Sequence, residues 1–240
     1  WEYSMRTTLY THEVIRDDQV VEPWFNLNWH VKASNYGVEI PYVHGDNRGS
    51  YVWTPPIKDL ERDFDKLRFR QFSVDRAATM RDLDRAREIF GDILPPRIHG
   101  AFFWTSGLTQ TAAFLIGIEQ FMFATYDQPQ ALHRLMAFLR DDHARFLDWL
   151  EAENLLSPGD ENDYAGSGGV AYTRELLRDH KEGEPIRHSN RWGFGESQET
   201  VGLSSDMFAE FVLPYQLPLL ERFGLNCYGC CEQLESRIRP

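Results

Sequence analysis

Cysteine is scarce in this chain of 240 residues, and its three copies, Cys227, Cys230 and Cys231, fall in one short stretch near the C-terminus. So few in so long a chain make no disulfide framework, which points to a reducing compartment. Long apolar runs are missing, and no basic segment leading into an apolar one opens the chain, so the sequence offers neither a membrane span nor a secretory signal. A cytoplasmic location without a membrane partner is the expectation. Basic residues are outnumbered, 25 against 37 acidic ones, for a formal charge of −12. Nucleic acid or an anionic membrane surface would be repelled by such a charge. The stretch 157–170, rich in Gly, Asp and Asn, matches neither G-x-G-x-x-G nor G-x-x-x-x-G-K.

The chemistry-bearing residues gather where the cysteines are. Cys227 and Cys230 have the C-x-x-C spacing that lets two thiolates reach one soft metal ion, and Cys231 and Glu232 extend the donor set. The same cysteines would also serve as small apolar packing groups. Against that stands their place, at the end of a predicted strand (225–229) that follows a predicted helix (204–223). In parallel α/β folds the strand C-termini form the active face.

Taken in order, residues 1–15 read as a helix leading into a first strand at 19–28, which delivers Asn26, Asn28 and His30 to its end. A satisfied polar strand end is the plainer account of these three. Glycines and prolines over 36–57 suggest a hairpin, and 58–66 a solvated helical turn. Residues 75–90 form a surface helix stopped by Gly91, and 96–103 a buried strand ending at Trp104, Thr105 and Ser106. A helix apolar nearly all round covers 108–126, with Gly117 allowing close packing. Asp127 then caps a long amphipathic helix in which His133 and His143 read as structural. A short strand ends near Asp163, a turn aspartate or substrate-orienting group, and a short helix covers 173–178. A further strand at 191–199 presents Glu196, Gln198 and Glu199, where a carboxylate can act as acid, base or ligand. Ser204 caps the helix that reaches Phe223, kinked at Pro214 and Pro218.

Helices alternating with short apolar strands argue for a βα-repeat fold of class α/β. Beyond that, residues 204–223 (opening Ser-Ser-Asp-Met-Phe-Ala-Glu-Phe-Val-Leu-Pro-Tyr), residues 127–139, and residues 28–39 ending in Gly-Val-Glu resemble the uroporphyrinogen decarboxylase superfamily. The resemblance runs through most of the chain from about residue 19 onward, in the right order. It implies a (β/α)8 TIM barrel, here one domain over 1–240 with parts of it expected outside the chain. About five strand candidates are found where a closed barrel has about eight.

The resemblance implies two chemistries. One is cofactor-free decarboxylation of uroporphyrinogen. The other is methyl transfer between a corrinoid, carried by a partner protein or present as substrate, and a thiol or methylated small molecule, with zinc at the strand ends. Decarboxylases use an aspartate at the end of an early strand, where the Gly37-Val38-Glu39 register puts Asn28. The methyltransferases place a His-x-Cys pair after the strand that here runs over 225–229. Cysteine is kept there and histidine is not. The resulting expectation is a zinc-dependent methyltransferase with Cys227, Cys230, Cys231 and Glu232 on the metal and Glu196, Asn28 and His30 on the substrate side. A decarboxylase of tetrapyrrole biosynthesis and a non-catalytic barrel that binds a tetrapyrrole or a partner protein are the alternatives.

Overall fold

The computed structural model describes residues 1–46, 49–102 and 105–238. The chain divides into two compact units, Trp1–His30 with Asp75–Gly100, and Val31–Val74 with Ala101–Pro240. No described helix is long and apolar enough to cross a membrane.

In the first unit the helix Glu2–Tyr10 continues as a π-helical turn, Thr11–Ile15, and stops at Arg16 with a left-handed backbone. The strand Phe25–Leu27 follows, with Phe25 and Leu27 buried and Asn26 exposed between them, as a half-buried strand requires. It pairs in parallel with Pro96–Ile98. Between the two in sequence lies the helix Arg76–Phe90, whose first turn is capped by Asp75 accepting from the Ala78 amide at 2.8 Å, and which ends at Gly91. Phe25, Leu27, Leu83, Ala86 and Phe90 make the core of this unit. The rings of Trp1, Phe25 and Phe90 meet edge to face.

The second unit is built on helices. Pro129–Ala152, the longest, buries Leu132, Leu135, Met136, Leu139, Leu147 and Leu150 along one stripe. The expected helix over 108–126 forms as two, Thr109–Ile116 and Ile118–Asp127. Gly117 separates them with φ +89, and a Cβ there would press on the Pro55 ring. Asp127 therefore ends a helix and caps none; Gln128 takes the N-cap position before Pro129. The helix expected to reach Phe223 likewise breaks at Val212 into Ser205–Phe211, capped by Ser204, and Leu213–Leu220, which carries Pro214 in its first turn and Pro218 within. Residues 173–178 form turns where a short helix was expected. The hairpin expected within 36–57 is present as Tyr42–His44 paired with Tyr51–Trp53.

The (β/α)8 TIM barrel expected from the sequence is not what forms. Among the described residues the strands pair only two at a time, in two parallel and three antiparallel pairs. A closed barrel needs every strand bonded on both edges to parallel neighbours. These strands are three or four residues long, and Val31–Ala33, Asp163–Gly166 and both hairpin strands take antiparallel partners. What survives of the βα pattern is local: each parallel pair is joined through intervening helix. Phe103 and Trp104, expected at the end of the strand over 96–103, lie outside the described residues.

Candidate functional site

The second parallel pair positions the site. Trp192–Gly195 and Leu225–Tyr228 run side by side in the register Trp192 to Leu225 through Gly195 to Tyr228. The Gly229 amide donates to the Gly195 carbonyl at 2.9 Å, so the pairing reaches the last residue of the first strand. Both chains then leave the pair at the same end, one as Glu196-Ser197 and the other as Cys230-Cys231-Glu232. Two residues 35 positions apart tie these exits together: the Ser197 amide and hydroxyl donate to the Glu232 carboxylate at 2.9 and 2.6 Å. Arg237 closes the arrangement with a 2.6 Å ion pair to Glu232 and a bond to the Thr200 carbonyl, and both partners of the ion pair are nearly or wholly sealed from solvent.

Glu196 is fully buried. Its carboxylate accepts from the Gln198 amide at 3.1 Å, and the Thr105 hydroxyl stands 3.5 Å away. Burial first, then the charge of Glu199, and then that of Glu232 push its pKa up to about 7, with the Gln198 amide working the other way. Glu199 accepts from the Thr109 hydroxyl at 2.8 Å and from the Gln198 side chain. Beneath them the buried amide of Gln216 donates to the Glu196 carbonyl at 2.9 Å and to the Gly107 carbonyl, and accepts from the Tyr228 hydroxyl at 2.6 Å. Glycine is required at 107, because a Cβ would run into the carbonyl and carboxylate oxygens of Glu196.

The sulfurs lie on the other exit. Cys227 and Cys230 are half-buried and Cys231 is exposed. The Sγ atoms of Cys230 and Cys231 are 3.7 Å apart. The thiol of Cys231 is pushed up by its bond to Cys230 first and by the charge of Cys230 next, with Glu196 and Glu232 adding in the same direction. The Tyr164 phenol is raised chiefly by burial, with the charges of Cys230 and Cys227 adding in the same direction. Cys230, Cys231, Val201, Leu203 and Arg237 line an open cavity of about 500 Å³, within the range of small-molecule sites. A larger cavity of about 650 Å³, lined by residues such as Asp179, Arg187 and Gly224, lies at the opposite end of the same strands and gathers no buried acid or thiol.

The four expected metal donors do not act as one set. The Glu232 carboxylate is spent on Ser197 and Arg237, and among the described residues no group of three or more His, Cys, Asp or Glu is arranged to hold a metal ion. The Cys230–Cys231 pair does suit a soft ion. Two sulfurs bound at about 2.3 Å to one tetrahedral zinc stand about 3.8 Å apart, against the 3.7 Å found.

Asn28 and His30 belong to the first unit, directly after the strand Phe25–Leu27. His30 Nε2 lies 2.8 Å from Asp82, its amide donates to Thr79, and its carbonyl accepts from the Asp75 amide, so it ties the strand end to the helix Arg76–Phe90. Glu196 and the cysteines belong to the second unit. Asp163, buried, begins its strand and accepts from the Glu161 amide, two residues before it. Thr109, Gln216, Tyr228 and Arg237 were not singled out from sequence, although Gln216 carries a signal: it is the one amide in Leu213–Leu220, a segment otherwise made of apolar, proline and tyrosine residues. In comparison with known proteins, no family model, no curated protein and no solved structure matches the chain, so function is argued from the geometry and chemistry of this site.

Proposed function

We propose that the second unit carries an active site for methyl transfer between a corrinoid and a thiol or methylated small molecule, with Glu196 as its acid–base group and Cys230 and Cys231 as its sulfur pair. One observation carries the reading: the parallel strands Trp192–Gly195 and Leu225–Tyr228 release a buried acid with a pKa about 7 and two adjacent thiols at the same end. A proton donor or acceptor poised near neutrality is what general acid–base chemistry at that pH needs. Glu196 would take the proton of an incoming thiol, or give one to a departing oxygen, while Val201 and Leu203 cover the apolar part of the substrate. A zinc ion would be held by Cys230 and Cys231, and when bound it supplies Lewis acidity to the substrate sulfur or oxygen. The corrinoid, on its carrier protein, would reach the cavity from its open side.

Decarboxylation of a polycarboxylate fits less well. Arg237, the cation beside the cavity, is already neutralised by Glu232, and the neighbouring carboxylates would repel such a substrate.

The test combines metal content with turnover. Protein purified and supplied with zinc should bind it near stoichiometrically, and a Cys230→Ser/Cys231→Ser double variant should lose it. With methylcobalamin and a small thiol, demethylation of the corrinoid followed by its absorbance should fall at least ten-fold in that variant and in Glu196→Gln. Zinc binding unaffected by the double substitution, or no turnover with any small thiol or methylated donor by a folded, zinc-loaded protein, would sink the proposal.

A further inference from the structure

Cys230 and Cys231 are neighbours in the chain and both are free cysteines, the first half-buried and the second exposed. Side chains of adjacent residues point to opposite sides of an extended chain, yet here the two Sγ atoms are only 3.7 Å apart. The backbone on either side of the pair explains why they stay together. Ahead of it, the Gly229 amide donates to the Gly195 carbonyl at 2.9 Å, and Gly229 has the left-handed φ of +100 that glycine adopts freely. A Cβ there would collide with the Leu234 side chain, which folds back over it. Behind the pair, the Glu232 carboxylate is held by the Ser197 amide and hydroxyl and by Arg237. Only the two cysteines lie between these anchors. Backbone motion that would part the sulfurs is opposed at both ends, and the cavity of about 500 Å³ that both residues line opens them to small molecules.

We propose that Cys230 and Cys231 form a site of reversible oxidation, closing to a disulfide between adjacent residues by exchange with a low-molecular-weight disulfide. The exposed Cys231, as thiolate, attacks one sulfur of the small disulfide, whose S–S bond breaks, and the departing thiolate takes up a proton. Cys230, as thiolate, then attacks the Cys231 sulfur of the mixed disulfide, and the second small thiolate leaves and is protonated in turn. Two cysteine thiols are oxidised and one small disulfide is reduced to two thiols. Consecutive Cα atoms lie about 3.8 Å apart, short of the roughly 4.4–6.8 Å that disulfides prefer. The bridge is therefore strained and readily reduced, which suits a switch better than a fastening. Closing it withdraws both sulfurs from a zinc ion, so the site is idle while the bridge lasts. That consequence rests on the zinc site proposed above, whereas the bridge itself forms without metal.

The experiment treats the metal-free full chain with an excess of oxidised glutathione, alkylates the remaining thiols after denaturation and locates them by peptide mass spectrometry. The Cys231 thiol is held above its ordinary range and attacks slowly, so the reaction is followed over hours. Cys227 alone should take the alkyl label, residues 230 and 231 should share one bridge, and a small thiol should reopen it. Glu232→Ala frees one anchor and should slow closure about ten-fold, seen as accumulation of the glutathione mixed disulfide. Cys227→Ser should still form the bridge, and it carries the test if Glu232→Ala folds poorly. Glutathione that stays on one cysteine of the wild type without closure, or a bridge between Cys227 and Cys230 instead, would overturn the proposal. Zinc-loaded protein should lose its thiols about ten-fold more slowly than the metal-free form. Formation of the 230–231 bridge at equal speed with and without zinc would uphold this proposal and remove the zinc site.

Discussion

Asp142 and Glu196 are both fully buried acids of the second unit, yet their neighbours differ in sign. Asp142 receives the Arg70 backbone amide at 2.7 Å and its guanidinium at 2.5 Å. That guanidinium lies over the rings of Tyr36, Phe72 and Phe146, so the cation is as well housed as the anion. Glu196 meets Glu199 and Glu232, and the nearby cation serves Glu232. Around Asp142 the charges are matched, and the cluster fastens residue 70 to the helix Pro129–Ala152. Around Glu196 they are not, and the mismatch is relieved by holding a proton. A buried acid with its counter-ion is a fastening, whereas one surrounded by its own kind is a reagent.

The largest expected effect breaks the matched side. Asp142→Ala strands Arg70 among aromatic rings and should cost about 3–5 kcal/mol in denaturant unfolding. A loss below roughly 1 kcal/mol would mean that the pair is no fastening at all.

Next comes the pH dependence of stability, where the two clusters pull in opposite directions. Glu196 has a folded pKa of about 7, above its ordinary value of 4.5, so its contribution is complete below about 4.5 and is lost as pH rises to about 7. The integrated change is roughly 3 kcal/mol. His143, beside Asp142, is pushed down to about 3, by burial first and the charge of Arg70 second. Its contribution is complete above about 6.5 and is lost as pH falls toward 3. His188, pushed down to about 4 chiefly by burial, pulls the same way as His143. Unfolding should therefore find the wild type modestly more stable at pH 7 than at pH 5, and Glu196→Gln more stable at pH 7 by a clearly larger margin. A flat Glu196→Gln profile would contradict the contrast.

The smallest of these effects concerns the floor of the acid site. Gln216→Met keeps the length of the side chain but leaves the Glu196 carbonyl without its amide donor, while the Tyr228 hydroxyl keeps only Ser197 and the Gly107 carbonyl only the Thr109 amide. A loss of about 1–3 kcal/mol is expected, together with a sideways shift of the Glu196 titration. An unchanged titration would show that Gln216 supports the backbone without shaping the acid.

Local features were legible in the sequence, because they depend on neighbours a few residues apart. Asp75 and Gly91 bound the helix Arg76–Phe90, the glycine- and proline-rich stretch holds a hairpin, and the cysteines lie in and just after a strand, Cys227 within it and Cys230 and Cys231 beyond it. Four of the five expected strand regions contain a strand, and the fifth, expected to end near Asp163, is replaced by a strand that begins there. What failed was the assembly of those strands. Periodicity marks a strand but does not say which edge bonds to which partner, and Asp163–Gly166 turns back on Gly169–Ala171 with no sequence sign that it should not run parallel. The helix breaks at Gly117 and Val212 escaped notice for the same reason, since the apolar pattern continues through both. Glu196 was legible as a strand-end acid and Glu199 as its neighbour. The commitment of Glu232 to Arg237 was not, because an ion pair five residues apart across a loop leaves no periodic trace.

Gln216 reaches back 109 positions to the Gly107 carbonyl and 20 to that of Glu196, and Arg237 reaches back 40 positions to Ser197. Chains are synthesised from the N-terminus, so helix Thr109–Ile116 leaves the ribosome long before the amide that closes the space beside it. Glu196 itself comes only 20 residues before that amide, and Glu232 comes later still. The altered proton affinity of the acid can therefore arise only once the last part of the chain has emerged and closed around it.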